Sequence, residues 1–241
     1  MNKLAAFFQA IWAELQTVFE LALVEDDRWL QILRGLGNTL IITLGAIALG
    51  LVIGLLVAVV RVSHAYTGKL KVLDRICSVY LTIIRGIPMM VLLLITYYII
   101  FASVNISTLL IAVIAFGINS GAYTAEVFRS GIMAVDRGQM EAGRSLGLSY
   151  TSTMWYVILP QAVKNILPAM LNEFIALFKE TAIVGYIPVQ DLTKAAFIII
   201  GITYEPIGPL LITAFIYLLG VILLTALMSA LERRMRAGDK R

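Results

Sequence analysis

Apolar residues occupy long stretches of the chain and are separated by shorter polar stretches, a pattern typical of a bundle of membrane-spanning helices. Five apolar stretches are predicted spans, each close to the roughly 20 residues that cross a bilayer. They lie at about residues 36–60, 78–102, 107–128, 161–178 and 209–231. The second is interrupted by Arg85, Gly86, Ile87 and Pro88, where a kink is expected. The pattern therefore predicts an all-α, polytopic membrane domain over residues 36–231.

The segments outside the spans have patterns of their own. Residues 1–35 place apolar side chains at helical spacing with Glu14 and Glu20 on the opposite side, which predicts an amphipathic helix lying in the membrane interface. Cleavage of this segment as a signal peptide is not expected, because polar residues interrupt its apolar core. Residues 191–208 contain an apolar run too short to span a bilayer, which predicts an outer-face or re-entrant helix. The chain ends in a basic tail, residues 232–241.

Lysine and arginine residues are distributed unevenly over the connections. The connections after spans one and three, together with the C-terminal tail, contain thirteen of them, against five on the opposite side. Because positively charged loops stay in the cytoplasm, this distribution places the N-terminus outside and the C-terminus inside. The loop at about residues 129–160, between spans three and four, is then cytoplasmic.

Composition supports the same class of protein. Hydrophobic residues make up 60% of the chain and charged residues 14%, which is more apolar surface than a soluble core of this length hides. The net charge of +4 comes from basic residues that follow the positive-inside distribution described above, so no nucleic-acid partner is expected. The single Cys77 excludes an internal disulfide. Gly45, Gly50 and Gly54 in span one predict close packing against another helix.

The cytoplasmic loop is polar and rich in small residues. Residues 140–146 should be helical, with Ala142 and Gly143 on a surface that another protein can approach closely. Gly147 is expected to end this helix with a positive φ, a conformation open mainly to glycine.

Three further residues of the loop have predicted structural roles. Glu141 supplies a carboxylate for a cap or a salt bridge within the elbow between the loop helices. A second helix should begin near Tyr150. Pro160 is expected to mark the entry into span four, where its missing N–H is tolerated.

The motif Glu141-Ala142-Gly143-x-x-x-Gly147, followed after nine residues by Val157-x-Leu159-Pro160, resembles the cytoplasmic loop of permease subunits of bacterial binding-protein-dependent ABC importers. The chain departs from the family in having Gly143 for the usual second Ala and Val157 for Ile. The resemblance implies the type I importer fold of five spans, in which this loop docks in a groove of the ATPase. It assigns coupling to a set of loop residues: Glu141, Ala142, Gly143, Gly147 and Pro160.

The resemblance also implies the partners. The ATPase would be a separate cytoplasmic ABC subunit that holds ATP and Mg²⁺, so no cofactor is expected in this chain. A second permease subunit, identical or closely homologous, would complete the pathway, and an extracytoplasmic binding protein would deliver the solute. The complex would lie in the bacterial inner membrane.

Further motifs resemble the polar amino acid branch of these permeases, and the likeness extends over roughly residues 35–235. They are Arg85-Gly86-Ile87-Pro88, the run from Asn119 to Ile132, Leu171-Asn172-Glu173-Phe174 and Phe178-Lys179-Glu180-Thr181. The chain departs from the branch at residues 179–183, where Lys-Glu-Thr-Ala-Ile stands in place of the common Lys-Asp-Thr-Ser-Leu. The resemblance implies an amino acid substrate, of which the sequence does not specify the side chain.

An amino acid crossing a bilayer loses its hydration and needs fixed donors and acceptors. The candidates are Thr96 in span two, Asn119 and Tyr123 on one face of span three, and Glu173 midway along span four. The Glu173 carboxylate either meets a substrate ammonium in a polar cavity or pairs with a protein cation, and these readings carry equal weight. Hydrogen bonding between helices is the alternative role of Asn119 and Tyr123.

Other functions require residues that this sequence lacks. It has no His-Glu-x-x-His, no Cys pair and only His64, which lies outside the spans, so neither a catalytic site nor a metal site is expected. No Gly-x4-Gly-Lys-Ser/Thr sequence occurs, so ATP hydrolysis needs another polypeptide. The alternative function is a secondary transporter or channel for small polar solutes, which five spans without a visible inverted repeat disfavour.

Overall fold

A computed structural model describes Thr17 and residues 19–237, with side chains described up to Ala230. Every regular element in this part of the chain is helical, which confirms the predicted fold class. The α-helices are α1 Trp29–Thr67, α2 Lys71–Gly86, α3 Met89–Ile95, α4 Thr108–Met133, α5 Arg137–Ser145, α6 Tyr150–Thr153, α7 Leu159–Glu180, α8 Leu192–Thr203 and α9 Ile207–Ala237. π-Helical turns extend α3 over Thr96–Ile100 and join α6 to α7 over Met154–Ile158, and a 3₁₀-helix, Thr181–Tyr186, follows α7.

The long apolar helices agree with a membrane-embedded, multi-pass chain. Helices α1 and α4 and the first 24 residues of α9 are each long and apolar enough to cross a bilayer. Span one is longer than predicted, because its helix starts at Trp29 and runs for 39 residues. Helix α7 carries the predicted fourth span and is 22 residues long, although its charged side chains make it less apolar than the others.

The second predicted span is broken rather than kinked. Helix α2 and the helix Met89–Ile100 meet at an angle of 106°. Ile87 is extended, with φ −104° and ψ 131°, and Pro88 precedes the first residue of α3. Proline disfavours helical backbone at the residue before it, and its ring lacks the N–H that a continuous helix would use. The expectation of a single kinked helix was therefore wrong.

Helices α1 and α4 form the centre of the subunit and run parallel. Glycines of α1 face side chains of α4, because a Cβ built at Gly45 would lie 2.9 Å from Val113 Cγ1 and one at Gly50 2.8 Å from Ser120 Oγ. The predicted close packing is thus confirmed. Three glycines of α1 make successive contacts with α4, namely Gly45, Gly50 and Gly54.

The third contact gives a sharp test of this packing. A Cβ at Gly54 would lie 2.5 Å from Thr124 Cγ2 and 3.0 Å from a backbone nitrogen, whereas one at Gly37 would meet nothing within 4 Å. We expect Gly54→Ala to destabilise the subunit by about 1–3 kcal/mol through overpacking. Gly37→Ala, in the same helix, should be neutral or stabilising because alanine favours helix by about 1 kcal/mol. Thermal unfolding of the purified complexes measures both, and equal melting temperatures would refute the close contact.

Helix α8 packs against the first turns of α1. Leu192, Ala195 and Ile199 form a buried cluster with Ile32. The two elements are also joined by hydrogen bonds, since the Leu192 backbone N–H donates to Thr39 Oγ1 at 3.1 Å. The short apolar run predicted at residues 191–208 therefore lies beside the N-terminal end of span one. That end is the outer one in the predicted topology.

The N-terminal segment differs in part from its prediction. Residues 29–35 belong to α1, and most of the predicted amphipathic helix lies outside the described residues. Just before α1, the buried Arg28 pairs with Glu25 at 3.2 Å and with Asp26 at 3.0 Å. Both carboxylates remain largely exposed, so the acidic run at the start of span one is hydrated and also neutralises an arginine.

Candidate coupling elbow and substrate face

The cytoplasmic loop folds as an elbow, made of α5, the turn after it and α6. Asp136 caps the start of α5, because its Oδ1 accepts a hydrogen bond from the Gly138 N–H at 2.6 Å. Ser149 caps α6 in the same way, accepting from the Ser152 N–H at 3.0 Å. Both helix starts are therefore fixed by the chain itself. The start of α6 at Tyr150 agrees with the prediction.

The end of α5 confirms the predicted conformation of Gly147, which has a φ of +86°. The Leu148 N–H donates to Gly143 O at 3.2 Å, and the Gly147 N–H donates to Arg144 O at 3.1 Å. This pair of bonds is the Schellman motif, which requires a left-handed residue at the position of Gly147. The turn at Gly147 sets the direction in which the chain leaves α5. Any other residue at this position would add backbone strain.

Gly143 lets α5 approach α6 closely. A Cβ at this position would lie 2.5 Å from Thr153 Cγ2, and Thr153 is fully buried. Below the contact lies a buried cluster that joins the loop to α7 and consists of Val135, Met140, Ile158, Ala162 and Ile166. Buried side chains therefore pack α5 directly against the first turns of α7.

Glu141 does not fix the elbow, contrary to the prediction. Its side chain is exposed and forms no hydrogen bond or ion pair with any residue that the structure describes. The capping carboxylate belongs to Asp136 instead. An aspartate directly before a helix is the N-cap signal that sequence reasoning passed over. Ala142 is exposed like Glu141, and Leu146 at the end of α5 is 84% exposed.

Pro160 lies at the entry into span four, as predicted, but no break in the helical backbone precedes it. The backbone is helical from α6 through the π-turn into α7, and Pro160 is the second residue of α7. In the π-turn the Leu159 N–H donates to Met154 O, five residues back. This wider turn accommodates the proline, whose ring would otherwise clash with the carbonyl four residues earlier. The elbow and the predicted fourth span consequently share one continuous helical rod.

Part of the predicted substrate site comes together on one face of the bundle. Tyr123 of α4 is 36% exposed, and the Arg85 guanidinium at the end of α2 lies over its ring at 5.3 Å from the centroid. Glu173 of α7 is half-buried and within electrostatic range of Arg85 and Glu180. This face, defined here by Arg85, Tyr123 and Glu173, offers a cation, an aromatic ring and a carboxylate.

The other two predicted residues lie elsewhere. Thr96 is 7% exposed and its hydroxyl donates to Leu92 O at 2.7 Å, one turn back in its own helix. Asn119 is only 3% exposed, one turn before Tyr123. The four-residue spacing puts Asn119 and Tyr123 on the same side of α4, but packing around the helix buries Asn119 and leaves Tyr123 exposed, so a shared role in substrate binding stays a prediction.

Sequence reasoning did not include Arg85 among the substrate-site candidates. Asp74 of the same helix pairs with Arg61 at 3.5 Å, so it does not neutralise Arg85. Arg85 is exposed and borders an open cavity of about 360 Å³, which is also lined by Glu126. Glu126 in turn forms an ion pair with Arg129, three residues further along α4. The signal for Arg85 was an arginine next to a helix-breaking proline inside an apolar run, where a charge needs a polar cavity or a partner.

The chain is similar to known proteins over most of its length. The family described as binding-protein-dependent transport system inner membrane component matches residues 50–237. The arginine transport system permease protein ArtQ of Bacillus subtilis (strain 168) is 36% identical over 86% of this chain and 94% of its own. A putative glutamine transport system permease protein GlnP of Rickettsia typhi is 40% identical over 85% and 92%.

Solved structures are similar as well. A crystal structure of an amino acid ABC transporter with histidines superposes with a TM-score of 0.77 at 43% identity, over 85% of this chain and 94% of that one. An inward-facing form of the MetNI methionine ABC transporter has a TM-score of 0.76 at 22% identity, over 88% and 99%. At that identity the second likeness concerns the fold alone, and it extends over nearly the whole length of both chains.

Proposed function

Since the chain belongs to the family of binding-protein-dependent transport system inner membrane components, we propose that it is the permease subunit of an ATP-driven amino acid importer. As a permease it forms a pathway and catalyses no reaction itself. Relatives named as arginine and glutamine permeases, each aligned over more than nine-tenths of its own length, support an amino acid as the substrate.

The observation that carries this proposal is the exposed, internally fixed elbow. Its end at Gly147 is held by two backbone hydrogen bonds, while Glu141 and Leu146 project from it without partners in the described part of the chain. A helix that is rigid yet leaves a carboxylate and a leucine uncovered is suited to dock on another protein. The docking partner proposed is a cytoplasmic ABC ATPase that holds ATP and Mg²⁺.

The continuous rod of α6, the π-turn and α7 connects the elbow with the substrate face. Thr153 contacts the elbow at Gly143, and Glu173 lies twenty residues further on, about 30 Å at 1.5 Å per residue. ATP binding would close two ATPase subunits, displace the elbow and tilt this rod. The same movement would carry Glu173, so that access to the pathway alternates between the two sides of the membrane.

The substrate face fits the two charges that every amino acid carries. Arg85 can pair with the α-carboxylate in a planar, bidentate geometry, and Glu173 can pair with the α-ammonium. The Tyr123 ring, which already lies under Arg85 at 5.3 Å, fixes the guanidinium by a cation–π contact. Arg85 is also the candidate protein cation for Glu173 in the absence of substrate, because it lies within electrostatic range of that carboxylate.

Co-purification provides the first test. The tagged permease, expressed with its neighbouring ATPase and binding protein, should be isolated in a complex that hydrolyses ATP faster when an amino acid is present. A second permease subunit, identical or homologous, should be part of it. Uptake by the permease alone in vesicles without an ATPase would refute the proposal and favour a secondary transporter or channel. A panel of competing amino acids identifies the substrate.

A topology experiment tests the proposed placement in the inner membrane. The charge distribution puts Arg241 in the cytoplasm and Met1 outside. A reporter active only in the cytoplasm should therefore work when fused after Arg241 and fail when fused before Met1. The reverse assignment is tested with a reporter active only outside. Activity of the same reporter at both ends would mean an even number of spans and would contradict the predicted topology.

A further inference from the structure

Helix α2 carries two parallel stripes on the surface that it does not bury. The residues of the apolar stripe are 51–74% exposed and recur at helical spacing; they are Val72, Ile76, Val79 and Ile83. The residues of the polar stripe precede these by one position, at the same spacing; they are Lys71, Arg75, Ser78 and Thr82. Together the stripes make an amphipathic surface along the whole helix.

The polar stripe lines an open groove of about 450 Å³, whose far wall includes His64 of α1. The acidic residue in the groove, Asp74, faces Arg61 at 3.5 Å, so its charge is compensated. Lys71 and Arg75 form no ion pair within the described part of the chain. The groove therefore presents two uncompensated cations beside two hydroxyl groups.

Contacts with α1 and α4 fix the depth of α2 in the bundle. Asp74 reaches Arg61, near the C-terminal end of α1, while α3 beyond the break packs among Ile42 and Ala46 in the first half of α1. In the proposed topology the C-terminal end of α1 is cytoplasmic. The 106° bend then lays α2 along the inner half of the membrane while α3 rises towards the outer half.

We propose that this groove binds the headgroup of an anionic phospholipid of the inner leaflet. Lys71 and Arg75 hold the phosphate, and the acyl chains lie along the apolar stripe of the same helix. A free phosphate ion would use the cations alone and leave the apolar stripe without a function. An amphiphile with a negative headgroup matches both stripes at their observed spacing.

Phosphatidylglycerol is the probe. The intact transporter, including its ATPase, is placed in phosphatidylcholine nanodiscs with a small amount of spin-labelled phosphatidylglycerol, and the immobilised lipid fraction is measured. Lys71→Gln combined with Arg75→Gln should lower the preference for the labelled lipid roughly tenfold or more. The charge-preserving pair Lys71→Arg and Arg75→Lys should retain it. Arg34→Gln, an exposed charge near the other end of α1, is the matched control and should change nothing.

Four results would overturn the proposal. The first is an unchanged preference in the doubly neutralised variant, and the second is an equal loss in Arg34→Gln, which would indicate a general surface effect. The third is efficient cross-linking between two copies through Ile76→Cys in a Cys77→Ala background, because the apolar stripe would then be covered by a second permease. Phosphate binding by the detergent-solubilised complex without any lipid preference would likewise assign the groove to a free anion.

Discussion

Replacing Gly147 with aspartate is expected to abolish amino acid uptake while leaving the permease in the membrane. At a φ of +86°, any side chain is strained, and a left-handed L-residue costs about 1–2 kcal/mol. The strain can be relieved if the Schellman hydrogen bonds to Gly143 O and Arg144 O break. The chain would then leave α5 in a different direction. Substrate-stimulated ATP hydrolysis by the reconstituted complex measures the coupling, and membrane-fraction abundance measures insertion.

Gly68 provides a matched control, because it also has a positive φ, +68°, and also ends a helix. Gly68→Asp should carry a similar backbone strain at the end of α1 while leaving ATPase stimulation intact. If Gly147→Asp supports wild-type uptake, or if Gly68→Asp uncouples equally, the elbow does not carry the coupling.

Glu141→Lys separates docking from folding at the same elbow. The Glu141 side chain has no partner in the described structure, so its replacement should leave the melting temperature of the isolated permease unchanged. Charge reversal on a docking surface should nevertheless weaken assembly with the ATPase and abolish uptake. Gel filtration of the mixed subunits tests this, and normal assembly with normal uptake would exclude Glu141 from the contact.

Glu173→Gln is expected to raise the half-maximal substrate concentration about ten- to a hundredfold, since a hydrogen bond to a charged group contributes about 1.5–3 kcal/mol. Glutamine keeps the shape of the side chain and removes its charge. Substrate-stimulated ATPase activity, measured over a range of amino acid concentrations, gives the shift. Glu20→Gln, an exposed carboxylate before α1, is the control and should leave the half-maximal concentration unchanged.

The same variant distinguishes the two roles of Glu173. If its carboxylate serves only to neutralise Arg85, the substitution leaves an unpaired cation, lowers the melting temperature and reduces the maximal rate for every substrate alike. If it binds the substrate ammonium, the substitution lowers the affinity for the amino acid and leaves the melting temperature unchanged. A stable, active variant with unaltered half-maximal concentration would remove Glu173 from the site.

The spans and the elbow were predictable from sequence because each depends on local chemistry. Hydrophobic length identifies α1, α4 and α9 without knowledge of their neighbours. The positive φ of Gly147 follows from the requirements of a helix end, which involve only the residues around it. The same holds for the small residues at Gly45, Gly50 and Gly54, whose spacing on one side of α1 indicated a close neighbour but not which helix it would be.

The substrate face was predictable only in part, because it depends on which helices meet. A four-residue spacing places Asn119 and Tyr123 one above the other on α4, but the exposure of each is decided by packing against other elements. Arg85 reaches Tyr123 only because the chain breaks at Pro88 and turns α2 across the bundle. No periodicity in the sequence encodes that angle.

Glycine contacts between α1 and α4 restrict how the subunit can change shape. Because Gly50 and Gly54 leave no room for even a methyl group against Ser120 and Thr124, the two helices cannot slide or roll past each other without separating. We therefore expect them to move together as one rigid body during transport. The rotation that opens the pathway to either side must be absorbed at irregular backbone outside this pair, and the break at Ile87 and Pro88 is a natural pivot for it.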